Sequence, residues 1–224
     1  MPRMSSQHHA VGPSPIGVIA EDDTDCDVVS VLVRRILPPP LARLRVMRRR
    51  AEGCASLRRK AKAWMRDLAA SGCTSVVLLH DCDKNDESTL RSALARIETP
   101  SSIARLICIP VEELEAWFWS DPVVVTEVGR GTGKVVPEPH RLKDPKEALI
   151  RLSRDEGRKP LYSVNDNKEL AELLDLDLCE RRCPAFRDLR QFVLRHGQAA
   201  AVAPGRQRSN GADRGRRKKG TKRR

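Results

Sequence analysis

The stretch Val76–Asp86, VVLLHDCDKND, decides how the rest of the chain is read. Its first half is a short apolar run led by β-branched residues, the composition of a buried strand. Its second half sets Asp81, Asp83 and Asp86 close together, with Glu87 next. Carboxylates so placed repel one another unless they face water, cap a helix or share a cation. Which of these holds depends on where the neighbouring strand ends fall.

Similar runs recur on both sides. IGVIA (Ile16–Ala20) reads as a buried strand, and DCDVVSVLVRRIL after it has helical spacing and stops at Pro38-Pro39-Pro40. RLRVMR (Arg43–Arg48) alternates, which predicts a strand with one basic face. A helix from about Ser56 to Ala70, the strand SVVLL, a helix over Glu87–Ile97 and the strand RLICIP (Arg105–Pro110) follow. This β-α-β-α-β-α-β order, with apolar strands, predicts a Rossmann-like α/β fold: a parallel sheet of about four strands with helices on both faces. Beyond Pro110 the pattern is mostly helical, over Glu112–Trp119, Asp144–Arg154, Asn167–Leu174 and Pro184–Arg195. The expected organisation is a flexible N-terminus (1–15), an α/β domain (16–127), a helical C-terminal extension (128–203) and a disordered basic tail (204–224).

Open parallel sheets bind ligands at the carboxyl ends of their strands. Three such ends are acidic here: Glu21, Asp22, Asp23 and Asp25 after the first strand, Asp81, Asp83 and Asp86 after the third, and Glu112, Glu113 and Glu115 after the fourth. In extended backbone Asp81 and Asp83 point to one side and can reach one hard cation. Mg²⁺ takes oxygen ligands and is commonly held by one or two carboxylates plus substrate phosphate. The plainer reading is that these acids cap the helices they precede. Three acidic ends on one sheet edge favour the cation.

The formal charge of +12 is concentrated in the tail, where ten Lys/Arg face one acid, Asp213, while residues 1–203 carry only +3. Arg216, Arg217, Lys218, Lys219, Lys222, Arg223 and Arg224 would give salt-sensitive, sequence-independent attraction to nucleic acid. Arg43, Arg45, Arg48, Arg49 and Arg50 could add a second basic patch beside the sheet. Seven cysteines without a CxxC pair read as reduced thiols of a cytoplasmic protein. Cys179 and Cys183 have helical spacing but no second ligand pair, so a zinc site there is disfavoured. No apolar run approaches the ~20 residues of a membrane span, and no membrane partner is expected.

Glu21 and Asp25, then Asp81-x-Asp83, then PVEELEAWFWSD (Pro110–Asp121) and CPAFRDL (Cys183–Leu189) together form a pattern over about Ile16 to Leu194. The pattern resembles small bacterial TOPRIM-like proteins, related to the TOPRIM domains of overcoming-lysogenization-defect nucleases. It departs from them in Asp22-Asp23, where such proteins often carry Gly, and in the basic tail. The resemblance implies a Mg²⁺- or Mn²⁺-dependent phosphodiester reaction on DNA or RNA, in bacterial defence and with an ATPase or other defence subunit as a further partner. It implies Glu21 as general acid/base, Asp81 and Asp83 as catalytic metal ligands, and Glu115 and Glu112 as completing the metal shell. On a helix Glu112, Glu115 and Trp119 would share one face, with Trp119 the better base-stacking candidate and Trp117 in the core.

Other signals are weaker. Glu21-Asp22-Asp23 after a strand also fits a response-regulator receiver, but no strand ending in Lys follows RLICIP. GRGTGK (Gly129–Lys134) lacks the Ser/Thr of a phosphate-binding loop. His80 reads as a packed strand-end residue. The alternative from another class is a non-catalytic protein with a degenerate fold of this kind, binding nucleic acid or a protein partner.

Overall fold

The computed structural model describes residues 13–131, 136–154 and 159–202. The stretch 1–12, Gly131-adjacent residues 132–135 and the whole basic tail lie outside them. So do most of the N-terminal segment and Lys134 of GRGTGK.

Four parallel strands, β1 (Ile16–Ala20), β2 (Val46–Arg50), β3 (Ser75–Leu79) and β4 (Ala104–Cys108), form one sheet in the order β2-β1-β3-β4. The central pair β1 and β3 is buried along its whole length, which is why both read as unbroken apolar runs. The chain leaves β1 for β2 and returns on the other side of β1 as β3. The carboxyl ends of β1 and β3 therefore flank the switch in strand order, where such sheets open a crevice.

Helices cover both faces. α1 (Asp23–Ile36) packs with Ile16, Val18, Ala20, Val77 and Leu79, while α2 (Cys54–Ala70) and α3 (Glu87–Ala95) pack with Ile19, Val76 and Leu78. Gly17 is required in β1 because a Cβ there would meet Leu68 Cδ1 at 2.8 Å and Val76 Cγ2 at 2.9 Å. β2 begins later than its alternation predicts, and this changes its faces. Val46 packs on the α1 side and Met47 on the α2 side, so Arg48 and Arg50 follow Val46 while Arg49 follows Met47. Both faces of this edge strand are basic, not one.

Past β4 the chain is mostly helical, as expected, with α4 (Pro122–Val128), α5 (Pro145–Leu152), α6 (Asn167–Leu173), α7 (Leu176–Arg182) and α8 (Pro184–Val202). The segment expected as a helix over Glu112–Trp119 is a 3-10 helix, Leu114–Ser120. Glu112 precedes it with φ +58°, so it shares no helical face with Glu115. Short helices α4 and α7 carry too few residues for a visible period; each begins at an Asp cap, Asp121 and Asp175. Trp117 and Phe118 are fully buried, and Trp117 meets Phe186 edge-on with ring centroids 5.4 Å apart. The EAW and PxF segments thus meet in the core that α1 shares with the C-terminal helices. Burying each of these aromatic side chains contributes about 1.5–3 kcal/mol. Arg35 Nη1 donates to the Ala171 and Leu174 carbonyls at 2.7 Å, tying α6 to α1.

Candidate metal centre

β3 does not stop pairing at Leu79. The His80, Cys82 and Asp83 N–H groups donate to the Cys108, Pro110 and Glu112 carbonyls at 3.1, 3.1 and 3.0 Å, carrying the ladder beyond both strands. At Asp83 and Lys84 the backbone turns left-handed, with φ +48° and +63°. Asp81 and Asp83 therefore do not present parallel side chains as extended backbone would. Asp81 is half-buried and its Oδ1 accepts from the Leu114 N–H at 3.1 Å, whereas Asp83 is exposed on the rim.

Glu21 ends β1 one strand away. Its Oε1 accepts from the Asp81 N–H at 3.2 Å and lies 2.9 Å from His80 Nδ1; its Oε2 accepts from Cys54 Sγ at 2.9 Å. His80 Nδ1 also lies 2.7 Å from the Asp81 carbonyl oxygen. Since both partners only accept, Nδ1 carries the proton. The ring is 1% exposed, and Nε2 has no partner among the described residues. Cys54 begins α2 behind Gly53, whose φ of +88° lets the chain turn back from β2. Its thiol also reaches Asp83 Oδ2 at 3.7 Å.

The opposite wall comes from the helical extension. Glu115 is 3% exposed, and its Oε1 accepts from Asn167 Nδ2 at 3.0 Å; the Asn167 Oδ1 in turn accepts from the Tyr162 hydroxyl at 2.6 Å. Lys146 at the start of α5 places Nζ 3.2 Å from Glu113 Oε1 and 3.8 Å from Glu115 Oε1. Asp25, in the first turn of α1, is buried beside them. Glu21, Asp25, Asp81, Asp83, Glu115, Lys146 and Asn167 line one cleft of about 130 Å³.

Capping accounts for a different set of acids. Asp22 accepts from the Asp25 N–H, Asp86 from the Thr89 N–H and Asp121 from the Val123 N–H. Asp121 also holds the Asp175 N–H at 2.6 Å, so the last Asp of the EAWxxxD segment is structural. Asp22 also lines the cleft, and Asp81 takes the Leu114 N–H that opens the 3-10 helix; Glu21, Asp25, Asp83 and Glu115 cap no helix among the described residues.

Their crowding shows in their protonation. Burial and the charges of Asp25, Glu115, Glu21 and Asp83 raise the Asp81 carboxyl well above its ordinary range. Burial, then Asp22, Glu115 and Glu21, push Asp25 up to about 8. Glu115 is raised by burial although Lys146 and Asn167 oppose it, and Asp83 is raised by burial and by Glu21. Glu21 moves the other way: burial would raise it, but hydrogen bonds from His80 and Cys54 outweigh that and hold it below the usual carboxylate range. Burial, and then the hydrogen bond to Glu21 and the charges of Glu21 and Asp83, push the Cys54 thiol up to about 12. The cluster thus splits into an ionised Glu21 and neighbours that resist ionising together.

Four of the sequence-predicted site residues, Glu21, Asp81, Asp83 and Glu115, surround this cleft. Glu112 does not reach it: it lines a separate hollow with Asp83, Lys84, Glu113 and Asp144, where its Oε2 accepts from the Lys84 N–H at 3.3 Å. Trp119 is no stacking platform, being 7% exposed with Nε1 donating to the Pro145 carbonyl at 3.1 Å. Arg216, Arg217, Lys218, Lys219, Lys222, Arg223 and Arg224 lie outside the described residues. Cys54, Lys146 and Asn167 are site residues the sequence did not single out, His80 was read as a packed strand-end residue, and Asp25 was read with Glu21 as a strand-end acid but given no role in the site. Cys54 follows β2 on the same carboxyl edge, which was its one signal; Lys146 and Asn167 had none.

Glu21, Cys54 and His80 bring one ligand atom each to within 4.8 Å of one another and could hold a metal ion; they are the one such group among the described residues. Cys179, by contrast, is buried in the core with its thiol on the Trp117 carbonyl, and all seven cysteines are free thiols. Among the described residues no helix is long and apolar enough to cross a membrane. Comparison of the chain with protein-family models, with curated proteins and with solved structures gives no match.

Proposed function

We propose that the chain is a divalent-metal-dependent nuclease of the TOPRIM-like kind, cleaving phosphodiester bonds in nucleic acid. The observation that carries this reading is the meeting of Glu21, Asp25, Asp81 and Glu115 from three strand ends in one cleft at the switch in strand order. Ligands of open parallel sheets bind there. Carboxylates that stay ionised together only at a cost are stabilised by a cation of charge two. The donor set fits Mg²⁺ or Mn²⁺ through its carboxylate oxygens.

When bound, such an ion neutralises charge on the attacking and leaving oxygens of an in-line displacement. The protein's own residues do the rest. Asp81 and Asp83, with Glu115 opposite, would hold the ion. Glu21, ionised and oriented on one oxygen by His80 and on the other by Cys54, can accept a proton from the attacking water and return it to the leaving oxygen. Lys146 offsets part of the acidic charge that would otherwise repel a phosphate. The bacterial-defence setting and an ATPase or other defence partner belong to the same proposal through the resemblance alone.

The test is cleavage of single- and double-stranded DNA and RNA with Mg²⁺ or Mn²⁺, comparing wild type with Asp81→Asn. Metal-dependent cutting by wild type, lost in a variant that still melts cooperatively, is the expected result. A folded wild type that takes up no Mn²⁺ by calorimetry and cuts nothing overturns the proposal in favour of a binding protein.

A further inference from the structure

Glu21, Cys54 and His80 follow the carboxyl ends of β1, β2 and β3, and they offer one oxygen, one sulfur and one nitrogen. Glu21 Oε1 lies 2.9 Å from His80 Nδ1, and its Oε2 lies 2.9 Å from Cys54 Sγ. Asp83 Oδ2 is 3.7 Å from the same sulfur. Around a tetrahedral zinc ion, bonds of about 2.0–2.3 Å set neighbouring ligand atoms about 3.4–3.6 Å apart. The two Glu21 contacts need to open by about 0.5 Å to admit such an ion, and the Cys54–Asp83 separation already fits one.

Two features of the softer donors set them apart from packing. Cys54 is the one of the seven cysteines that is not buried, and it belongs to neither hydrophobic core. His80 is buried, yet Nε2 has no partner among the described residues. Exchanging the ring proton from Nδ1 to Nε2 therefore gives up only the Nδ1 contacts with Glu21 and the Asp81 carbonyl, and it turns a lone pair toward Glu21. A metal-bound thiol is deprotonated outright. One carboxylate, one thiolate and one divalent cation then balance in charge. Glu21 lines the cleft, which gives the ion its way in.

We propose that Glu21, Cys54 and His80, with Asp83 beside them, form a second metal site that takes zinc, and that zinc there silences the cleft. Nitrogen and sulfur donors favour zinc over Mg²⁺, which takes oxygens. A carboxylate committed to zinc cannot accept the proton of an attacking water, and Asp83 is drawn away from Mg²⁺. The silencing rests on the nuclease reading above; the zinc site does not.

The experiment adds Co²⁺ to the full chain after EDTA treatment and desalting. Co²⁺ substitutes for zinc and reports a bound thiolate as a charge-transfer band in the near ultraviolet. One equivalent is expected to produce the band in wild type and none in Cys54→Ser, which keeps a donor to Glu21. Histidines alone give no such band, and the other six cysteines are buried. Asp81→Asn is expected to keep the band while losing Mn²⁺ uptake, which separates the two ions. Losing an outer-shell partner of a metal ligand costs about 10–100-fold in affinity, so Cys54→Ser should weaken Zn²⁺ binding by calorimetry by at least about 100-fold. A folded wild type without the band, a band that survives in Cys54→Ser, or one lost in Asp81→Asn overturns the site. In the Mg²⁺ cleavage assay, one equivalent of Zn²⁺ is expected to stop cutting by wild type; cutting indifferent to zinc overturns the silencing. The nuclease reading fails separately, by absence of metal-dependent cutting in a wild type that shows the band, and takes the silencing with it.

Discussion

Replacing Asp25 by Asn tests the electrostatic account of the cleft without relying on any activity. Asp25 is buried next to Asp22, Glu115 and Glu21, and its carboxyl is pushed up from 3.8 to about 8. A carboxyl whose folded value lies above its unfolded value favours folding fully only below the unfolded value; that contribution is lost as pH rises through the folded one. Stability therefore falls between about pH 4 and pH 8. At about 1.4 kcal/mol per unit, the ceiling on this cost is near 6 kcal/mol at pH 8 and above. Asn cannot ionise, but Asp81 and Glu115 keep part of the repulsion, so a gain of about 1–3 kcal/mol is expected at pH 8. For a chain of this size that is a rise in Tm of about 3–10 °C. The assay is thermal melting of both proteins in EDTA from pH 4 to pH 8. The variant should be the more stable at pH 8, with the gap closing toward pH 4. A gap that does not change with pH, or an Asn variant less stable at pH 8, would refute the reasoning.

Lys146→Met removes the ammonium that lies between Glu113 and Glu115. It should cost about 1–3 kcal/mol at pH 8 in the same melts, less than a fully buried pair because the ammonium is partly solvated, and less again at pH 4 where the acids are protonated. Gly17→Ala drives a methyl into Leu68 and Val76. It should lower stability by about 1–3 kcal/mol by urea unfolding at every pH tested.

Much of this protein could be read from the chain. IGVIA and SVVLL read as central strands because parallel strands buried on both faces must be apolar throughout. Three acidic strand ends pointed to the carboxyl edge, since chain order in a β-α-β fold puts all those ends on one side. The boundaries of β2 were not legible: Leu44 and Val46 alternate with arginines outside the strand as well as in it, and pairing with β1 alone decides where it starts.

What only the tertiary structure decided is which acids do what. Asp22 and Asp25 both line the cleft, yet Asp22 stays exposed at its rim and caps α1 while Asp25, one turn on, is buried within it. Glu112 and Glu115 part in the same way, since a left-handed residue and a 3-10 helix replace the expected α-helix. Cys54, His80, Lys146 and Asn167 join Glu21 from four separate segments. Local pattern records which face of its own element a residue takes. It does not record which residues of other elements wait there, and the protonation of Glu21, Asp25 and Asp81 follows from those neighbours.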